Sequence, residues 1–544
     1  MLLDYVAPDE RGIRGYRQSG RARFALLSAL PVDLRTARAN AEVQALERRF
    51  GTPEDQRREI TVDAAAVPAH DDPAESMTDE QWLDAMARHR SKTAAPGSRG
   101  ESRHGQWELA DMLEAAAAED PERFAQLALQ LPADAHPVYL ERTLVALKNG
   151  AAPAELKLQV CHKAFVESRG PCGRSIAEAL GSITEPLPND AVRMLHWLAT
   201  EHEDPAATAW EQEDPGVETA RGSAADAVSN LIVADASCIP RFRVTIDRLI
   251  RDPSPAVRAR AAGTVGAIAA RDPALGMTLF RALDLSEERL LAASQVYGFI
   301  RDRLRDRFVD VRPLVERMLK SSEPEVCEAG ARLASLAALE HTGPGDPAAG
   351  ETPAVASMSA QPDERSAADL AAEAVRGGPA HRLGVAHVAA ANLATPAYRR
   401  WSAATLTALF DDEDDAVRRR AATCFRRMEA APLDACSDLI GTFCKSRAYG
   451  DDPAAILNAL DASRERLPGA TLVACEKFID RFADEARDPR SDRHADALTV
   501  ATLAFRTCWQ HQDDEWTSRA LNLIDRLCLE RIGDAQAALE AVER

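Results

Sequence analysis

Twelve histidines and ten cysteines are the side chains in this sequence most able to hold a metal or act as nucleophiles. Cys161 and His162 are adjacent, Cys172 follows, and His196 and His202 stand six residues apart. Adjacent residues on a helix point about 100° apart, so Cys161 and His162 make a poor chelating pair. Glu201-His202-Glu203-Asp204 gathers ligand-type side chains, yet HExxH is absent and no metal site is expected. Thiol chemistry at Cys161, Cys172 or Cys436 needs an electropositive setting that lowers the thiol pKa; the plain reading is a buried, reduced thiol.

Nucleotide chemistry lacks its usual apparatus. A phosphate-cradling loop needs GxxxxGK[ST], which does not occur; Gly343-Pro344-Gly345 and Gly377-Gly378-Pro379 read as turns. GxGxxG and the nucleophile-elbow pattern GxSxG are missing as well. The expectation is therefore a chain with no catalytic residues and no cofactor, and not an enzyme.

Arginines form the other conspicuous group. Arg399-Arg400, Arg418-Arg419-Arg420 and Arg426-Arg427, with Tyr398 and Trp401 nearby, could meet phosphates and stack on bases. They also follow the acidic run Asp411-Asp412-Glu413-Asp414-Asp415, which favours a solvated helix face with its charges balanced. Trp82, Trp107, Trp197 and Trp210 are expected as core or inter-repeat anchors. With 86 acidic against 66 basic residues and a formal charge of −20, nucleic acid is a poor candidate for the main partner.

The elements that must position these residues follow from composition. The chain has 544 residues, 46% hydrophobic and 28% charged, enough for several domains or one long array. Only 5% of residues are aromatic while alanine is abundant, which disfavours a β sandwich and favours close-packed helices. No apolar run reaches the ~18–20 residues of a membrane span. Met1-Leu2-Leu3-Asp4-Tyr5 has neither the basic nor the hydrophobic part of a secretory leader, and the cysteines form no CxxC pair. A cytoplasmic protein is expected.

A repeated pattern then emerges. Ala220-Arg221-Gly222-Ser223-Ala224-Ala225, Val257-Arg258-Ala259-Arg260-Ala261-Ala262 and Val417-Arg418-Arg419-Arg420-Ala421-Ala422 each carry Arg-x-x-Ala-Ala after a small or medium apolar residue. The apolar positions lie along one helical face, which Ile268 and Met428 extend. A weaker copy runs through Val326, Gly330 and Ala334. Further helical stretches surround Arg174 to Leu180, Leu290 to Ile300 and Leu383 to Leu393. A period of ~35–45 residues with two helices per unit predicts an all-α, HEAT-like α-solenoid of helix-pair repeats with flexible linkers. Asp252-Pro253-Ser254-Pro255 and Ser322-Glu323-Pro324 supply helix starts, since proline suits the first turn and not the interior.

Asp252-Pro253, Val257-Arg258, Ala261-Ala262 and Val265-Gly266 resemble the second-helix motif of HEAT-repeat proteins. That resemblance implies that Arg221, Arg258 and Arg418 are scaffold residues, each pairing with an acidic or backbone group of a neighbouring unit. Other segments resemble the helical region that follows the ATPase module of large bacterial STAND-type NTPases. They are Arg14-Gly15-Tyr16-Arg17-Gln18, Phe24 to Leu30, Leu46 to Phe50, Trp82 to Met86, Asp120 to Ala125, His136 to Tyr139 and Leu521 to Leu527. In that family a C-terminal repeat sensor binds a ligand, in several members a phage protein, and drives oligomerisation and effector activation. Lacking Walker motifs and an effector, this chain resembles the sensor part only.

The expected organisation is a helical segment at 1–51, a linker at 52–76 and a helical segment at 77–150 with a loop at 90–105. HEAT-like repeats follow at 151–340, then a flexible Pro/Gly-rich insert at 341–366 and further repeats at 367–544. The expected function is non-enzymatic: a scaffold binding a phage or host protein as the ligand-sensing part of a STAND-type defence system. A general cytoplasmic adaptor and a nucleic-acid-binding solenoid are the alternatives, and an oligomer is expected only alongside an NTPase module.

Overall fold

The computed structural model describes residues 77–88, 103–204, 219–342 and 365–530, apart from 427, 429–432, 464–466, 489 and 511–513, and, singly, Val43 and Ile532. These residues form helices and turns, with no strand among them. Two compact units divide between Leu249 and Ile250, inside the segment expected at 151–340. Each is a HEAT-like stack in which helices pack on their near neighbours along the chain.

The first unit holds α1 (Asp79–Arg88), α2 (Arg103–Glu119), α3 (Pro121–Gln130) and α4 (Pro137–Asn149). It continues with α5 (Ala154–Gly181), α6 (Asn189–Thr200), α7 (Ala220–Ala234) and α8 (Cys238–Leu249). Helix α4 packs on α2 and α5, and α7 packs on α5 and α6. Starts are written locally. Thr78 and Gln81 cap each other's amides at α1, Asp120 accepts from the Arg123 amide at α3, and Thr219 accepts from the Gly222 amide at α7. Helix α5 is broken at Ser168 (φ −149°, ψ 30°), three residues before Pro171. Proline there removes the amide that would bond to the Glu167 carbonyl and crowds that carbonyl, so the helix kinks.

The second unit begins with α9 (Pro255–Arg271), α10 (Pro273–Ala282), a 3₁₀ turn (Glu288–Ala292), α11 (Ser294–Arg301), α12 (Leu304–Leu319) and α13 (Pro324–Thr342). Then come α14 (Ala367–Arg376), α15 (Pro379–Asn392), α16 (Arg399–Leu409) and α17 (Asp415–Ala422). The stack ends with α18 (Ser437–Lys445), α19 (Arg447–Asp451), α20 (Ala454–Ala462), α21 (Pro468–Ala486), α22 (Asp492–Gln510) and α23 (Asp514–Glu530). Alanine and glycine set the close approaches: a Cβ on Gly384 of α15 would collide with the Glu328 carbonyl of α13 and lie 2.9 Å from Ala331. Farther on, aromatic rings fill the interior. Phe443 lies 5.0 Å from both Phe410 and Phe425 and 5.7 Å from Tyr449, whose hydroxyl donates to the Ala474 carbonyl at 2.7 Å.

Several expectations need correction at their edges. Arg103 to Gly105 belong to α2 rather than to a loop, and His341 and Thr342 complete α13 rather than starting an insert. Ser366 caps α14 in a reciprocal capping box with Asp369. The third repeat copy is not one long helix: α17 stops at Ala422 and passes into a 3₁₀ turn at Thr423–Phe425, although Met428 is still buried. The copy around Leu290 is likewise split into a 3₁₀ turn and α11. Most of the segments at 1–51 and 52–76, residues 90–102 of the expected loop, and residues 343–364 lie outside the described residues.

Candidate partner-binding surface

The arginines of the repeat motif turn inward. Arg258 donates Nη1 to the carbonyls of Asp252 and Pro253, at 2.7 and 3.2 Å, and Nε to the carbonyl of Asp284 at 2.9 Å. Arg418 repeats this geometry with the carbonyls of Asp412 and Glu413, at 2.7 and 2.9 Å, and reaches Asp451 Oδ2 with Nε at 2.5 Å. Arg221 holds Asp204 through Nε at 3.0 Å. These acidic and backbone partners are of the kind the resemblance implies, and they leave the three arginines bound within the stack.

Arg382, which the alanine-centred pattern did not single out, belongs to the same set. It donates Nη1 to the Gly377 carbonyl and grips Asp412 with Nε and Nη2. A signal was present: Arg258, Arg382 and Arg418 are each the fourth residue of their helices, α9, α15 and α17. From that position a guanidinium folds back over the preceding turn, whose carbonyls have no helical partner. Asp252 and Asp412 stiffen the turns before α9 and α17 by each accepting the amide two residues on, and Asp284 does the same in the turn after α10 whose carbonyl Arg258 holds.

The acidic run before α17 therefore does more than balance the arginines that follow it. Asp411 accepts the Arg447 amide at 2.7 Å, Asp412 binds Arg382, Asp414 caps α17, and Asp415 pairs with Arg419. Burial pushes the Asp412 carboxyl upward, but the hydrogen bonds from Arg382 and the Asp414 amide outweigh it and hold it below the usual carboxylate range.

The arginine cluster considered for nucleic acid is largely spoken for. Arg418, Arg419 and Arg426 pair with Asp451, Asp415 and Asp452, and Arg399 donates to the carbonyls of Leu393 and Ala394. Arg400 is exposed, while Tyr398 and Trp401 are half-buried. Arg427 lies outside the described residues, as does Trp210. Trp82 is fully buried against Phe124, and Trp197 meets the rings of Phe165 and His202. Trp107 corrects the expectation: it is 48% exposed, because Gln106, Leu109 and Ala110 take the inward face of α2.

Histidines and thiols are placed as follows. Cys161 is buried and His162 exposed, so the adjacent pair diverges; His196 Nδ1 lies 2.9 Å from the Thr245 hydroxyl. His202 has Asp204 on one ring nitrogen and the Gly170 carbonyl on the other. Among the described residues no group of three or more His, Cys, Asp or Glu side chains is arranged to hold a metal. Burial pushes the Cys161 and Cys172 thiols up to about 12 and raises Cys436, the opposite of activation. No described helix is long and apolar enough to cross a membrane.

Two recesses open on the second unit. One, of about 400 Å³, lies beside Arg399, Arg400, Cys436 and Leu439. The other, of about 520 Å³, is lined by α17, α19, the start of α20, α21 and α22 together with the turns beside them. It is strongly charged, with five carboxylates (Asp451, Asp452, Glu485, Asp492, Asp496) and three guanidiniums (Arg419, Arg426, Arg493). The guanidiniums are engaged: Arg493 pairs with Asp496 at 3.1 Å and donates to the carbonyls of Gly450 and Asp451. Glu485 and Asp492 are exposed on the rim. Arg419 and Arg426 belong to the arginine cluster that stands out in the sequence, but the carboxylates were not legible as a site, because Asp451 and Asp452 lie more than thirty residues before Glu485, Asp492 and Asp496.

No protein-family model matches the chain, and no curated protein does. Solved structures similar to it include yeast importin-β (Kap95p), at 11% identity and a TM-score of 0.36 over 93% of this chain and 61% of that one. Another is Kap121p, at 12% identity and 0.37 over 94% and 57%. An engineered protein aligns at 13% identity and 0.27, over 83% of this chain and 99% of its own. The chain thus spans about three fifths of the length of these karyopherins, and the likeness extends to the stacking of helices and no further.

Proposed function

We propose that this chain is a non-enzymatic binding scaffold whose second unit receives a basic segment of a protein partner in the cleft between α17 and α22. One observation carries the reading: the arginines of the cleft are tied to carboxylates and carbonyls of the stack, while Glu485 and Asp492 stand exposed at its edge. A cleft with surplus carboxylate attracts lysine and arginine side chains and speeds their approach. The test uses the full chain with a panel of lysine- and arginine-rich peptides, and a photo-crosslinker at Ser491. Binding that is salt-sensitive, crosslinks at Ser491 and weakens about tenfold or more in a Glu485→Lys/Asp492→Lys variant supports it. Absence of crosslinking at Ser491 with every peptide overturns it.

The narrower reading, a ligand sensor in STAND-type defence, rests on the segment resemblance. Of those segments, Trp82 to Met86, Asp120 to Ala125 and His136 to Tyr139 lie in or at the caps of α1, α3 and α4, and Leu521 to Leu527 in α23. Residues 14–18, 24–30 and 46–50 lie outside the described residues. An in-frame GxxxxGK[ST] encoded upstream of Met1, with capture of a phage protein from infected cells, supports the sensor; constitutive partners in uninfected cells support the adaptor instead.

A further inference from the structure

His202 stands just past the end of α6 with its side chain 8% exposed, and both ring nitrogens face acceptors. Nδ1 lies 3.0 Å from Asp204 Oδ1, and Nε2 lies 3.1 Å from the carbonyl oxygen of Gly170, inside the broken stretch of α5. Asp204 in turn accepts the amides of Ala220 and Arg221 at the start of α7, at 2.8 and 3.1 Å, and Arg221 Nε at 3.0 Å. The ring has no slack: a Cβ on Gly173 would lie 2.5 Å from Nε2. A neutral imidazole carries one N–H and satisfies only one of the two acceptors; an imidazolium donates to both.

We propose that His202 is a pH-sensitive clamp, which as an imidazolium ties the break in α5 to the first turn of α7 and on deprotonation releases one of the two ties. The charged groups around it fit this role. From its own loop come Asp204 and, exposed, Glu201 and Glu203; α7 supplies Arg221, bound to Asp204; α5 supplies Arg169, whose guanidinium lies 4.6 Å over the Trp197 ring of α6. The Asp204 hydrogen bond raises the His202 pKa above its ordinary 6.5 against the opposing effect of burial, and the Gly170 carbonyl adds to it. A group whose folded pKa is raised contributes stability that is complete below its unfolded pKa. The contribution fades as pH rises through the folded value. The clamp is therefore shut in mild acid and loosens toward neutral and alkaline pH.

The full chain, labelled with ¹⁵N-histidine, gives the titration of each ring by NMR, and His202→Gln identifies the resonance. Hydrogen exchange of the amides at 169–174 and 220–223, corrected for intrinsic rates, reads the clamp. His202 titrating above the ordinary value, with exchange in both stretches rising about tenfold through the same pH range, supports the proposal. So does Asp204→Asn moving that midpoint downward. A His202 midpoint at or below the ordinary value, exchange that does not follow the titration, or the same pH-dependent rise persisting in His202→Gln overturns it. Should His202→Gln or Asp204→Asn fail to fold, removal of the other eleven histidines assigns the resonance, and the exchange profile decides alone.

Discussion

Arg382 and Asp412, thirty residues apart in sequence, are joined by two parallel hydrogen bonds, Nε to Oδ2 at 2.6 Å and Nη2 to Oδ1 at 3.0 Å. Their side chains are 22% and 6% exposed, so the pair is neither a loose surface bridge nor a fully desolvated one. It fastens the start of α15 to the turn before α17, and Arg418 then takes up the carbonyl of the same Asp412.

Breaking this link should cost stability. Arg382→Ala leaves the Asp412 carboxylate short of its main partner and is expected to destabilise by about 1–3 kcal/mol in denaturant unfolding. Arg382→Lys should recover only part of that, since an ammonium cannot make both bonds at once. A double-mutant cycle with Asp412→Ala should return a coupling of about 1 kcal/mol or more. Because the Asp412 pKa is lowered on folding, its contribution is complete above the unfolded carboxylate pKa and lost as pH falls through the folded one; unfolding followed below pH 4 should show the wild type approaching the variant.

Arg418→Met keeps most of the side-chain volume and strips the carbonyls of Asp412 and Glu413 of their donor. The expected loss is about 1–3 kcal/mol, larger than for Arg419→Met, whose partner Asp415 is exposed. Equal effects of the two variants in thermal unfolding would contradict a structural role for the inward-turned Arg418.

Two glycine substitutions should act in opposite directions. Gly384→Ala puts a methyl against the Glu328 carbonyl and is expected to destabilise by about 1–3 kcal/mol. At Gly266, within α9, an added Cβ meets open space, and alanine there should stabilise by about 0.5–1 kcal/mol. Chemical denaturation of the two single variants checks both signs.

Thiol accessibility gives a further check. Cys528 is exposed and Cys508 half-buried, whereas the remaining eight cysteines are buried. In the native protein Cys528 should react with an aromatic disulfide reagent first and Cys508 more slowly. Cys161, which burial pushes up to about 12, and Cys475, which burial also raises, should wait for unfolding. Mass spectrometry of partly labelled protein separates these classes.

Sequence alone is enough to show that the chain is helical, where proline and cap residues start its helices, and that Arg221, Arg258 and Arg418 recur at related places. Those properties live in short windows: periodicity, capping and alanine content act within one or two turns. Helix breaks were half-legible, since Pro171 announces the kink in α5 while nothing local foretells that α17 ends at Ala422. Only the packing of helices shows that Arg382 reaches Asp412, that Asp451 and Asp452 share a cleft with Glu485, Asp492 and Asp496, and that His202 faces two acceptors at once. Each of these depends on residues about thirty or more positions apart being brought together, as Arg382 is to Asp412 and His202 to the Gly170 carbonyl, and how closely neighbouring helices approach is not contained in any single window of sequence.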